Sequence, residues 1–205
     1  MRLRLTGLMA VAAAALSITA ADAQMRPPAA LSNQIVDVPE KPGYVPAPDE
    51  EQLDPQLRRQ PVFFRNNEPP GTIIIHTNER FLYLVLGPSS ALRYGIGVGR
   101  EGFQWSGLQK VSRKAEWPDW TPPPEMIQRQ PYLPRFMAGG PGNPMGAAAL
   151  YLGQTVYRIH GTNMPDTIGM AVSSGCFRLV NSDVQDLYNR VPVGTKVVIR
   201  QAPEL

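Results

Sequence analysis

The chain has 205 residues, 43% of them hydrophobic and 18% charged, enough for one well-buried core and too few for more than two domains. A single Cys excludes an internal disulfide, and one Cys with two His falls short of the four ligands of a structural zinc site. With 20 Lys and Arg against 17 Asp and Glu, the formal charge of +3 comes without a basic run, which excludes the footprint of a nucleic-acid-binding protein.

In chain order, the first feature is an export signal. Arg2 and Arg4 precede an apolar stretch from Leu5 to Ile18, and Ala21-Asp22-Ala23 follows as a small-residue cleavage site, so residues 1–23 read as a signal peptide cut before Gln24. The apolar stretch is shorter than the roughly 20 residues of a spanning helix, and no stable membrane insertion is expected after cleavage. Periplasmic localisation follows. Residues 24–70 are rich in Pro and carry no apolar periodicity, and are read as an extended or disordered lead-in.

The folded domain is expected over residues 71–202. Thr72 to His76 and Arg80 to Leu86 are β-branched or aromatic runs around Thr77-Asn78-Glu79, a hairpin signature with Asn78 in the turn. His76 lies within such a run and is read as an ordinary strand residue. Arg93 to Val98 and Lys110 to Ala115 are further strand candidates. The stretch from Pro118 to Pro144 is too rich in Pro and Gly for a regular element, and is read as a long ordered loop. Ala147 to Leu152 and Thr155 to Ile159 read as strands around Gly153-Gln154. Asn181-Ser182-Asp183 then reads as an N-cap ahead of Val184, Leu187 and Val191 at helical spacing, stopped by Pro192 and Gly194. Thr195 to Arg200 reads as a closing strand. The predicted fold is mainly β, a mixed β-sandwich with one or two short helices and a long Pro/Gly-rich loop.

An exported free thiol is exposed to oxidation and mispairing, so Cys176 is either buried and inert or a nucleophile. Attack on a carbonyl needs the thiolate, and a neighbouring imidazole is the usual means of forming it near neutral pH. His160 ends a predicted strand, and the loop from it to Cys176 is rich in Gly, Ser and Thr, so it can fold back and bring the two side chains together. Ser173-Ser174-Gly175 puts flexible backbone before the thiol, where N–H groups can turn toward a developing oxyanion. The residues point to Cys/His acyl transfer. Thr162 and Asn163 suit loop shaping, because such side chains satisfy local backbone groups. Trp105, Trp117, Trp120 and Tyr132 are read either as a substrate groove or as core and loop anchors.

The segment His160-Gly161-Thr162-Asn163, Ile168-Gly169, Ser173, Gly175-Cys176 and Arg178-Leu179 resembles the L,D-transpeptidase catalytic domain, the YkuD-type family of bacterial cell-wall enzymes. The likeness extends over residues 71–200, through the opening hairpin, Tyr94-Gly-Ile-Gly-Val-Gly99, Gly142-Asn-Pro-Met-Gly146 and Val193-Gly194-Thr195. Several members carry a second His just before Gly-Cys, where this chain has Ser174.

The resemblance implies Cys176 as nucleophile, His160 as its base, and the Gly161 carbonyl as the group that orients the imidazole. It implies an oxyanion hole of the Ser174, Gly175 and Cys176 N–H groups, with Arg178, Ser173 and Trp120 as substrate-binding candidates. Arg178 suits a stem-peptide carboxylate or a brace for the loop. The implied reaction is peptidoglycan L,D-transpeptidation on tetrapeptide stems through a thioester, with a stem-peptide amine or an envelope protein as acyl acceptor and no metal or cofactor. The rival is a catalytically inactive wall-binding or structural envelope protein. A papain-like enzyme places Cys before His, the reverse of the order in this chain.

Overall fold

β-Branched runs punctuated by Gly, Pro and Asn favour short strands joined by tight turns, and the computed structural model, which describes residues 38–48 and 52–201, is built that way. All described residues fall in the unit Asn33–Leu205. The expected leader at residues 1–23 lies outside them. The strands in chain order are β1 (Gln60–Phe63), β2 (Ile73–His76), β3 (Phe81–Gly87), β4 (Ser90–Gly95), β5 (Val98–Gly99), β6 (Gly107–Glu116), β7 (Ala148–Leu152), β8 (Arg158–His160), β9 (Ala171–Ser173), β10 (Phe177–Arg178) and β11 (Lys196–Arg200). Two α-helices, α1 (Pro124–Arg129) and α2 (Asn181–Arg190), and two short 3-10 turns, Pro55–Leu57 and Pro165–Thr167, complete the regular structure of the described residues. The mainly β class read from the sequence is the one observed. Among the described residues no helix is long and apolar enough to cross a membrane.

One sheet runs in the order β1-β4-β3-β2-β11-β6-β7-β8-β10, and β5 and β9 form a second pair. Strand β6 joins the two halves of the large sheet: residues 107–110 pair with β11, and residues 111–116 pair with β7 across a register shift between Val111 and Arg113. Apolar residues from both halves then close on one core. Ile73, Leu84 and Val197 from one half share it with Leu150, Ile159 and Phe177 from the other, and Val184 and Leu187 of α2, with Val191 just past its end, cap it.

The β2–β3 hairpin forms as the sequence suggests, with Ile73 opposite Leu84. Its left-handed residue is Arg80, at φ 61°. Arg80 is buried and its guanidinium donates to Gly169 O at 2.7 Å, so this hairpin turn braces the loop between His160 and Cys176.

Three expectations change. Part of the lead-in is structured: β1 pairs antiparallel with β4, Val62 and Phe64 pack on Ile74 and Tyr83, and residues 38–48 run beside the candidate site. The Pro-rich stretch 118–144 contains α1, because Pro123 and Pro124 sit at its N-terminus, where a missing N–H costs nothing. Asn181 is the first residue of α2 and not its cap. Its Oδ1 instead accepts the Ala147 N–H at 2.9 Å, tying the start of α2 to the entry of β7. At the other end Lys114 Nζ donates to the Tyr188 and Val191 carbonyls, satisfying acceptors that the last turn leaves open.

Leu150 is fully buried between the two halves of the sheet. Leu150→Ala is expected to lower the unfolding free energy in urea by about 3 kcal/mol, whereas truncating Leu108, 63% exposed, changes it by about 0.5 kcal/mol or less.

Candidate active site

Strand β8 ends at His160, and β10 begins one residue after Cys176. The two pair in parallel, Phe177 opposite Ile159 and Arg178 opposite His160. Successive side chains of a strand point to opposite faces. Ile159 and Phe177 therefore enter the core, where they are 0% and 1% exposed, and Arg158, His160, Cys176 and Arg178 turn to the other face together. All four line one cavity of about 70 Å³. Leu179 N donates to His160 O at 2.9 Å, and Gly97 clamps the far side of β10 through two hydrogen bonds with Arg178, each 2.9 Å.

The intervening loop is held by its own small polar residues. Thr162 Oγ1 accepts from Met164 N at 2.9 Å, and Thr167 Oγ1 donates to Met164 O at 2.7 Å. Ser173 Oγ donates to Cys176 O at 2.6 Å and accepts from Gly175 N at 3.2 Å. Gly175 has φ 103°, and a Cβ there would lie 2.4 Å from the Tyr157 ring, so glycine is required on both counts. The Gly175 carbonyl accepts from Trp105 Nε1 at 2.9 Å, and Trp105 stacks on Tyr157 with centroids 4.6 Å apart.

His160 Nδ1 lies 2.6 Å from Gly161 O. A carbonyl only accepts, so Nδ1 carries the proton and the other ring nitrogen of the neutral imidazole keeps its lone pair. Burial, reinforced by the Arg178 charge, pushes the imidazole down to about 3 against the pull of its bond to the Gly161 carbonyl. Burial pushes the Cys176 thiol up, opposed chiefly by the charge of Arg158 and then by its backbone hydrogen bond. The resting site thus holds a neutral imidazole and a neutral thiol beside two fixed cations.

The other sequence candidates fall into distinct settings. Arg178 is buried and its guanidinium is bonded by the Glu40 carboxylate, so the carboxylate it meets belongs to the protein. Ser173 is 2% exposed, and its hydroxyl serves the loop. The Gly175 N–H, expected among the oxyanion donors, is turned to Ser173 Oγ. Trp120 is buried against Met126, Leu133 and Met145 and lines the cavity, so it is at once an anchor and a wall. Trp105 anchors the Cys loop, whereas Trp117 is partly exposed and Tyr132 exposed. His76 packs at a tilt against the stacked rings of Phe64 and Tyr83, with Nδ1 3.1 Å from Glu79 Oε2. Sequence reasoning missed Arg158 and Glu40. The first lies two residues before His160, on the face that strand alternation shares with it; the second carries no local signal.

Comparison with known proteins shows the family and the fold. Residues 70–199 match the family model of the L,D-transpeptidase catalytic domain. The probable L,D-transpeptidase ErfK/SrfK of Escherichia coli K12 is 41% identical over 140 residues, 64% of this chain and 44% of that protein. The probable L,D-transpeptidase YbiS of the same strain is 39% identical over 142 residues, 65% of this chain and 45% of its own length. The chain thus spans under half the length of these relatives. Among solved structures, the catalytic domain of the E. faecium L,D-transpeptidase acylated by ertapenem aligns with a TM-score of 0.50 at 17% identity, over 66% of this chain and all of that domain, a likeness of fold. With its match over residues 70–199, the chain belongs to the L,D-transpeptidase catalytic domain family.

Proposed function

We propose that this protein is a periplasmic peptidoglycan L,D-transpeptidase with Cys176 as its nucleophile. The reading is carried by the β8–β10 register, which turns Cys176 and His160 into one cavity while Gly161 O holds the imidazole in the tautomer that can take a proton. His160 accepts the thiol proton as Sγ attacks the carbonyl of the third residue of a tetrapeptide stem. The oxyanion that forms is stabilised by the Ser174 and Cys176 N–H groups and by the nearby Arg158 charge. Collapse of the tetrahedral species breaks the peptide bond, and His160 returns the proton to the departing D-alanine amine. An amine of a second stem peptide or of an envelope protein then attacks the thioester, restores the thiol and completes the new amide. Trp120 forms an apolar wall of the donor site.

A catalytically inactive wall-binding protein would tolerate the same thiol without using it. Cys176→Ala is expected to abolish cross-linked product on purified sacculi, and with it the carbapenem adduct in intact-mass spectra, while the melting curve stays cooperative. Turnover retained in that variant would assign the chemistry to another residue.

Because burial raises the thiol, its alkylation by iodoacetamide should keep accelerating through and beyond pH 9.0, the ordinary value. A rate already at its plateau at pH 6 would show a preformed thiolate instead.

His160 titrates near 3 in the folded chain against an ordinary 6.5, so between those values the unfolded chain binds a proton that the folded one refuses. Its contribution to stability is complete above pH 6.5 and is lost as pH falls toward 3. Denaturation curves taken down this range should lose up to about 1.4 kcal/mol per pH unit from this group, and His160→Gln should flatten that slope.

A further inference from the structure

Residues 38–48 lie outside the segment that matches the family, yet one of them, Glu40, lines the cavity. Their attachment is built into the chain at several points. Asn163, 0% exposed, donates through Nδ2 to Lys41 O at 2.8 Å and to Tyr44 O and Gly142 O at 3.2 Å. Gly43 N donates to Gly142 O at 2.8 Å, and a Cβ on Gly142 would sit 2.8 Å from Gly43 Cα, so the two glycines let the backbones touch. On the other side, Glu40 N donates to Gln130 Oε1 at 3.1 Å, and the same oxygen accepts from Tyr132 OH at 2.8 Å. Glu40 is thereby held by its main chain, and its carboxylate reaches the guanidinium of Arg178, both side chains being about 7% exposed or less.

Glu40 meets this guanidinium at Nη2, and its fixed negative charge both neutralises the cation and opposes a second carboxylate beside it. Breaking a buried pair of this kind strands an uncompensated charge, so an incoming carboxylate would have to displace a partner fixed by the fold. A loose tail could exchange with a ligand, but this strap is pinned on both sides of Glu40. We infer that Glu40 is a specificity-determining residue: it closes Arg178 to carboxylates of a bound substrate, so that the pocket accepts donors whose portion beside Arg178 is uncharged. This inference rests on the reading of the Cys176 cavity as the donor site. It places a free carboxylate of the stem elsewhere and leaves Arg158 as the cation facing the thiol.

Acetate titrated into the ¹⁵N-labelled full chain, followed at the Arg178 amide, tests this without reference to Cys176 chemistry, whose failure the Cys176→Ala measurements reveal separately. The wild-type protein should show no saturable shift. Glu40→Gln should bind acetate at least about ten-fold more tightly, and the double variant Glu40→Gln, Arg178→Gln should lose that gain, because the charge-assisted pair is then gone. Asn163→Ala keeps both charges and releases the strap. It should show an intermediate gain, and it carries the test should Glu40→Gln fail to fold. Equal acetate affinity in the wild-type and Glu40→Gln proteins, or no binding by a folded Glu40→Gln or Asn163→Ala chain, would overturn the assignment.

Discussion

The site depends on a parallel ladder two residues long. Because β10 pairs with β8 in a register that puts Arg178 opposite His160, the alternation of strand side chains sends Ile159 and Phe177 to the core and Arg158, His160, Cys176 and Arg178 to the cavity. A slip of one residue would exchange the two sets, burying charges among aliphatic side chains and exposing the core residues. So short a ladder cannot hold itself, and the neighbouring elements secure it: Gly97 from the other edge, Trp105 through the Gly175 carbonyl, and Arg80 through Gly169 O.

Electrostatically the cavity keeps its acid–base pair neutral and its charges fixed. Burial disfavours both imidazolium and thiolate, and the Arg178 charge presses the imidazole further toward the neutral form. The Arg158 charge acts in the opposite sense on the thiol, favouring the thiolate when it forms. A thiol kept in its neutral form is less open to unselective oxidation than a thiolate. Glu40 balances one of the two guanidinium charges, which limits the accumulated positive charge beside a buried histidine.

Local chemistry was legible wherever neighbouring residues decide the backbone. The β2–β3 hairpin, the strands at 148–152 and 196–200 and the helix ended by Pro192 and Gly194 follow from β-branched runs, turn residues and apolar spacing. That His160 and Cys176 come to one place was legible too, and the parallel pairing of β8 with β10 brings both to the same cavity. Helix α1 was hidden by the surrounding prolines, although a proline at a helix start is well tolerated. Asn181 looked like a cap because its type favours one, and a tertiary contact with Ala147 took the side chain instead.

The sequence by itself determined the strand-rich class, the family motif around His160 and Cys176, and the small polar residues that shape the loop between them, because those depend on residue type and short spacing. Only the tertiary structure decided which charges face the thiol. Arg158 enters the site through the register of a strand pair, and Glu40 arrives from a proline-rich segment whose composition predicts no packing at all. Contacts between residues far apart in sequence, such as Glu40 with Arg178 or Gly43 with Gly142, depend on how separate segments approach one another. Composition and local pattern carry no record of that approach.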